Sequence, residues 1–302
     1  MKGFPTLDAN LILIFEIILM TFLFTMNASD SILQARGVEH YALEGREPML
    51  FLISQFFVPI FEGMNTTSLI VIERLAWWLH IAGILGFTIY VTYSKHLHIA
   101  LAFPTTYFSN MNPKGEMENM ENITKEVKIS MGILEDDGGE MSDDMPSVGA
   151  KDVKDLDWKT LMSAYSCTEC GRCTSVCPAN LTGKELSPRK IMMDIRDRVE
   201  EVGKNIDTKG ADFEDEKALY GDYVSKEELM ACTSCNACAE ACPININPLK
   251  PILEMRRYVA MEEASVPDAW KSMLSNVQNN AAPWAFSASD RFKWAEEMEN
   301  NG

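Results

Sequence analysis

The chain has 302 residues, 27 Lys/Arg against 44 Asp/Glu, and a formal net charge of −17 at pH 7. That balance argues against nucleic-acid binding, which requires a basic face. Hydrophobic residues make up 47% and crowd the first hundred positions, whereas residues 101–150 carry three Lys/Arg against ten Asp/Glu.

The first predicted element is an apolar run from Asn10 to Met26, interrupted only by Glu16. It is long enough to cross a bilayer at the short end of the range. No small-residue cleavage site follows it, so a signal peptide is disfavoured. The segment from Asn27 to Pro48 is expected to be a loop. Met49 to Phe61 is apolar but too short to span, and suits a half-helix or an interfacial segment. A second span runs from Leu75 to Tyr93 without Asp, Glu, Lys or Arg, with Trp77, Trp78, Tyr90 and Tyr93 as interface anchors and Lys95 as its stop. Glu73 and Arg74 fall at the outer end of that span, where they cap the helix in the head-group layer or reach a quinone head group.

Three of the four histidines, His80, His96 and His98, lie on or beside the second span. On an unbroken helix the eighteen residues from His80 to His98 make five whole turns, which puts both imidazoles on one face about 27 Å apart. Imidazole is a common axial ligand of haem iron, and ionisable groups in a span are functional candidates. The competing reading is that His80 bonds a neighbouring helix while His96 and His98 sit wet at the interface. His40, in the loop, is a poor ligand candidate.

Residues 103–155, with runs such as E-D-D-G-G-E-M-S-D-D, read as a flexible acidic linker. Beyond it, helices are expected over Leu156–Ser166, from an N-cap at Ser187 with Pro188 at the first position to about Lys204, over Lys226–Ala231, and over Pro248–Met261. The C-terminal tail, residues 263–302, holds A-A-P-W-A-F at 281–286, then Arg291 and Trp294. These residue types suit a partner interface, or pack back on the preceding domain.

The eight cysteines fall in two copies of one spacing, C-T-E-C-G-R-C-T-S-V-C-P from Cys167 and C-T-S-C-N-A-C-A-E-A-C-P from Cys232. Cys-x2-Cys-x2-Cys-x3-Cys-Pro is the run that ligates [4Fe-4S] clusters in two-cluster ferredoxins, the fourth cysteine reaching across to the other cluster. One cluster is therefore expected on Cys167, Cys170, Cys173 and Cys242, the other on Cys232, Cys235, Cys238 and Cys177. Structural zinc would leave the middle cysteines spare, and a disulfide framework suits small secreted domains. The 54 residues between the motifs, with no alternating strand pattern, point to a helical ferredoxin.

The expected fold is all-α: transmembrane helices over residues 1–102, the linker over 103–155, an α-helical dicluster ferredoxin domain over 156–262, and the tail. Cluster-bearing cysteines favour the reducing side of the membrane. The cluster domain is thus placed on the cytoplasmic side of the inner (cytoplasmic) membrane.

The S-K-H-L-H ending of the second span, Ser94 to His98, resembles the last haem-bearing helix of nitrate reductase gamma-type cytochrome b subunits. That resemblance selects His98 over His96 as partner of His80 in holding haem b. The cluster region, with L-S-P-R-K-I-M-M-D at 186–194, resembles the C-type member of heterodisulfide reductase. Together these resemble the membrane-bound (Fe-S)-binding protein family, which fuses a haem b anchor to a heterodisulfide-reductase-like dicluster domain. Family members have further helices, carrying the opposing haem histidines, before the first helix seen here. The chain begins M-K-G-F-P-T without them, so another segment or subunit is expected to supply them. All eight cysteines are assigned and no Cys-Cys-Gly occurs. The resemblance therefore implies an electron relay with two [4Fe-4S] clusters and haem b, and with no catalytic side chain of its own. Its implied partners are quinone and a Cys-Cys-Gly-domain heterodisulfide-reductase-B-like or flavoprotein subunit. The alternatives are a haem-free tethered ferredoxin that docks a soluble dehydrogenase, and an iron-sulfur subunit of a succinate- or glycerol-3-phosphate-dehydrogenase-like complex.

Overall fold

The computed structural model describes residues 6–42, 51–113, 116–135, 148–211 and 213–300. The chain divides into two units, residues 1–107 with 165–170, and residues 108–164 with 171–302. Helices account for the architecture, and among the described residues no β-strand forms; one isolated bridge joins Tyr220 and Val224.

The first unit is built on two helices long and apolar enough to cross a bilayer, α1 (Thr6–Ala35) and α2 (Thr66–Val91). They pack antiparallel. Asp8 meets Tyr90, Phe15 stacks on Phe87 with ring centroids 5.4 Å apart, and Leu33 shares a buried cluster with Leu69. Gly83 permits a close approach, since a Cβ there would lie 2.6 Å from Leu19 Cδ2. At about 1.5 Å per residue, α1 is roughly 45 Å long, more than a hydrocarbon core requires.

The helix limits correct the sequence reading in three places. The segment expected to be a loop from Asn27 is helical as far as Ala35, and positions 43–48 of it lie outside the described residues. Between the long helices, a 3-10 turn (Ser54–Phe57) and one helical turn (Val58–Phe61) match the expected half-helix, of which Met49 and Leu50 lie outside the described residues. Helix α2 begins at Thr66, capped by the Asn65 side chain, which accepts the Ser68 N–H at 2.8 Å. Glu73 and Arg74 therefore sit two turns inside it.

At its other end α2 stops at Val91, and a separate helix, α3 (Leu97–Tyr107), follows. The break has two causes. Thr92 and Ser94 hydroxyls donate back to the Ile89 and Val91 carbonyls, competing with the helical ladder. Asp8, from α1, takes the Lys95 backbone N–H at 3.0 Å. Continuous-helix arithmetic between His80 and His98 consequently does not hold.

In the second unit parts of the region read as a linker carry helix or pack into a core. Helix α4 (Glu121–Ser130) forms within it. Residues 148–155 enter the core, with Val148, Ala150 and Val153 buried. Ala150 N–H donates to the Glu254 carbonyl at 3.0 Å, and Val148 N–H to the Glu262 carboxylate at 2.7 Å. The E-D-D-G-G-E-M-S-D-D run from 136 onward lies outside the described residues.

The cluster region follows the expected order. Helix α5 (Trp158–Ser166) leads to the first motif, which contains the short α6 (Arg172–Ser175). Helix α7 (Pro188–Lys209) starts as foreseen, with Ser187 Oγ accepting the Lys190 N–H, and runs five residues further than anticipated. Helix α8 (Lys226–Ala231) leads to the second motif, which contains α9 (Ala237–Glu240), and α10 (Leu249–Met261) follows. Helices α7 and α10 repeat one another at an offset of sixty: Pro188 and Pro248 introduce them, and Met192/Ile252 and Ile195/Met255 are buried on matching faces. The tail folds as α11 (Asp268–Asn280) and α12 (Lys293–Asn300), with Trp284 and Trp294 exposed rather than packed back.

Candidate iron-sulfur site

Each motif is presented by the same local device. A short helix delivers the first cysteine, after which the backbone turns left-handed twice. Glu169 (φ 59) precedes Cys170 and Gly171 (φ 78) follows it; Ser234 (φ 55) and Asn236 (φ 61) stand in the same places around Cys235. Left-handed residues reverse the chain within a few bonds. In both motifs the second cysteine is exposed and the first half-buried.

Helices α6 and α9 pack on each other, which brings the later cysteines of the motifs together. The Cys177 thiol lies within electrostatic reach of both Cys232 and Cys238, and Cys173 within reach of Cys238. Backbone amides are aimed at sulfur: Ser234 N–H donates to Cys232 Sγ at 3.4 Å, and Ile246 N–H to Cys242 Sγ at 3.3 Å. Burial pushes the Cys238 thiol up to about 12 and raises Cys232, with neighbouring thiolates adding to the burial effect in both. Such thiols surrender their protons to a metal rather than to water.

The donor set fits iron-sulfur chemistry: thiolates only, buried on one side, with N–H groups directed at the sulfurs.

The histidines are distributed differently from the sequence expectation. His80 Nδ1 donates to the Leu19 carbonyl of α1 at 2.9 Å, the neighbouring-helix bond that was the competing reading. His98 Nδ1 donates to the Lys95 carbonyl at 2.7 Å. Because a carbonyl only accepts, each ring carries a proton on Nδ1 and leaves Nε2 outside that bond. His96 lies edge-on to His98 with centroids 5.8 Å apart, and its Nε2 is 3.8 Å from Glu16 Oε1. Glu73, only 3% exposed, accepts from Tyr41 Oη at 2.8 Å and from Arg74 Nη2 at 2.7 Å. These three side chains satisfy one another, so neither expected role of Glu73, cap or quinone ligand, is what its contacts describe.

Two features escaped sequence reasoning. Arg198, on the otherwise apolar side of α7, is 2% exposed and binds Asp152 and Asp215 with its Nη2 at 2.7 and 2.6 Å. Arg256, on α10, reaches the second motif from behind. Neither position breaks the hydrophobic spacing in a way that marks it beforehand.

Residues 166–247 match the family model of a 4Fe-4S dicluster domain. Among relatives, the chain is 27% identical to the probable iron-sulfur-binding oxidoreductase FadF of Bacillus subtilis, over 98% of this chain and 42% of that protein. It is 26% identical to the EtfAB:quinone oxidoreductase of Syntrophomonas wolfei, over 80% of this chain and 34% of that one. It is 29% identical to a probable membrane-anchored ferredoxin of Chromohalobacter salexigens, over 50% of this chain and 25% of that one. Shorter matches join it to heterodisulfide reductase proteins of the C type, at 33% identity in Methanosarcina acetivorans over 35% of this chain and 53% of that protein. The chain thus spans less than half the length of the first two relatives. No solved structure matches it. The chain carries a 4Fe-4S dicluster domain and is similar to iron-sulfur oxidoreductases and to a probable membrane-anchored ferredoxin, and two of its helices are long and apolar enough to cross a membrane.

Proposed function

We propose that this chain is the electron-relay and anchor segment of a membrane oxidoreductase, with Cys167, Cys170, Cys173 and Cys242 holding one [4Fe-4S] cluster and Cys232, Cys235, Cys238 and Cys177 the other. The observation that carries this reading is the reach of Cys177 to Cys232 and Cys238. A fourth ligand crossing between motifs sets two clusters side by side. When bound, each cluster supplies a one-electron couple. The protein's own part is to clasp the clusters with thiolates, aim the Ser234 and Ile246 N–H groups at sulfur, and keep water from the buried cysteines.

In the membrane, His80 and His98 offer their Nε2 atoms to haem b, with an opposing pair of histidines from outside this chain. The substrate chemistry belongs to a partner. A Cys-Cys-Gly-domain subunit is supported by the similarity to heterodisulfide reductase proteins of the C type, and a flavoprotein with quinone by the similarity to an EtfAB:quinone oxidoreductase. The cluster domain faces the cytoplasm in this reading.

One observation favours a haem-free tethered ferredoxin instead: the His80 bond to Leu19 also serves simply to pin α1 against α2. Anaerobic purification of the full chain with its associated subunits separates the readings. The relay requires about eight irons per chain, paramagnetic signals from two interacting centres on reduction, and a haem b absorption band. Clusters without that band would leave the tethered ferredoxin. Zinc, or far less iron, would end both.

A further inference from the structure

We infer that Arg256 makes the two clusters unequal, giving the one held by Cys232, Cys235 and Cys238 the higher reduction potential; the inference rests on the two-cluster reading above. Arg256 lies on α10, half-buried. Its guanidinium is spread over the entrance to the second motif. Nε and Nη2 donate to the Leu229 carbonyl at 2.9 and 2.5 Å, Nη2 donates to the Cys232 carbonyl at 2.5 Å, and Nη1 to Ser234 Oγ at 3.3 Å. Leu229 and Cys232 lie at the C-terminal end of α8, where the helix dipole is negative and the Leu229 carbonyl has only the Cys232 N–H, at 3.3 Å, as a backbone donor. Ser234 is the left-handed residue whose N–H bonds Cys232 Sγ. One side chain therefore fixes the carbonyl of the first ligand and the residue that donates to its sulfur.

The charge matters as much as the grip. Among the described residues the hydrogen-bond partners of Arg256 are carbonyls and a hydroxyl, and the charged group that acts on it is Cys232. Burial of an arginine without a carboxylate is costly unless another anion compensates it. Here the compensating anion is the ligand set itself. The repeat in the fold supplies an internal comparison. At the offset of sixty, the counterpart of Arg256 on α7 is Arg196, whose guanidinium has the Asp197 carboxylate 3.8 Å away. The offset pairs the two arginines in the helical repeat; Arg196 has a carboxylate beside it, whereas the charged group that acts on Arg256 is Cys232. Adding an electron makes a cluster one unit more negative, and a nearby fixed cation stabilises that state. The cluster beside Arg256 is thus the easier to reduce.

The test is an anaerobic redox titration of the full chain, followed by paramagnetic resonance, in wild type, Arg256→Lys and Arg256→Gln. Iron and sulfide content is measured first. A wild-type content well below about eight irons per chain defeats the two-cluster reading itself. With full content, Arg256→Gln, which keeps donors but loses charge, is expected to lower the midpoint of one centre. At fixed poise the reduced-to-oxidised ratio of that centre falls by at least about tenfold while the other centre is unmoved. Arg256→Lys restores most of the loss. Unmoved midpoints in Arg256→Gln overturn the inference, as do equal shifts in both centres, or a Lys variant that falls as far as the Gln variant. Loss of iron in Arg256→Gln alone also counts against it, because the guanidinium is then a requirement of the fold rather than a tuning group.

Discussion

Arg198 holds Asp152 from within the α7 helix, with Nη2 2.7 Å from the carboxylate and Nε 3.0 Å from its second oxygen. Asp152 belongs to a stretch whose composition reads as tether, yet this pair fastens it to the longest helix of the second unit. The same guanidinium binds Asp215 and the Lys217 carbonyl, so three separated segments meet on one side chain. Removing one partner of a buried ion pair costs about 3–5 kcal/mol. Arg198→Met is expected to destabilise the cluster domain by that order, seen as a lower midpoint in chemical unfolding of the purified chain. A change below about 1 kcal/mol would show that the network is worth no more than surface pairs.

Gly149 lies in the same stretch, with φ +84, and a Cβ there would sit 2.4 Å from both the Glu254 carbonyl and the Tyr258 nitrogen. Both obstacles are backbone, so nothing can rotate aside. Gly149→Ala combines a left-handed alanine with this clash and is expected to lower stability by about 3 kcal/mol or more. Gly203 on α7, where an added Cβ would meet nothing within 4 Å, is the control. Alanine there should be neutral or stabilising by up to about 1 kcal/mol. Equal thermal midpoints for the two variants would contradict the packing of residues 148–155 on α10.

Cys177 tests the crossed ligation. In Cys177→Ser the perturbed signal should be that of the cluster on Cys232, Cys235 and Cys238, and Cys242→Ser should perturb the other. Resonance spectra of the two variants, each compared with a variant in the middle of one motif, decide it. Matching spectra for Cys177→Ser and Cys170→Ser would assign Cys177 to its own motif.

His80 and His98 are tested together. If both ligate haem, alanine at either position lowers the haem b band per chain by at least about tenfold, with iron-sulfur absorption retained. If His80 only bonds Leu19, His80→Ala costs about 1 kcal/mol in stability and leaves the band in place.

Asp194 supplies a pH dependence. Burial raises its carboxyl to about 6 despite Lys190 at 2.7 Å, with Glu228 pushing the same way. The unfolded chain releases that proton near 3.8, so between about pH 4 and pH 6 the folded state holds more protons. Stability contributed by this group is present below the unfolded value and is lost as pH rises through 6. In Asp194→Asn the unfolding midpoint should lose that part of its decline. Parallel pH profiles for the variant and wild type would refute the assignment.

Much of the fold was legible because its signals are local. The Ser187–Pro188 start of α7, the Lys226–Ala231 helix and the two apolar helices each depend on residues within a few positions of one another. The cysteine spacing is likewise local, since three ligands of a cubane come from seven consecutive residues. What sequence reading mistook were the places where a distant residue intervenes. Asp8 takes the Lys95 N–H and ends the helix that would have aligned His80 with His98. Tyr41, thirty-two residues away, joins the adjacent Arg74 in satisfying Glu73, which read as a surface acid at a helix end.

By itself, then, the amino-acid order determined the ligand type, the helical class and the apolar helices, because these follow from the chemistry and spacing of near neighbours. Only the tertiary structure decided which charges are neutralised, where the acidic stretch stops being solvated, and which arginine has a motif cysteine as the charged group acting on it. A charge is compensated by whatever the fold brings within a few ångströms of it, and those partners lie tens of residues away along the chain.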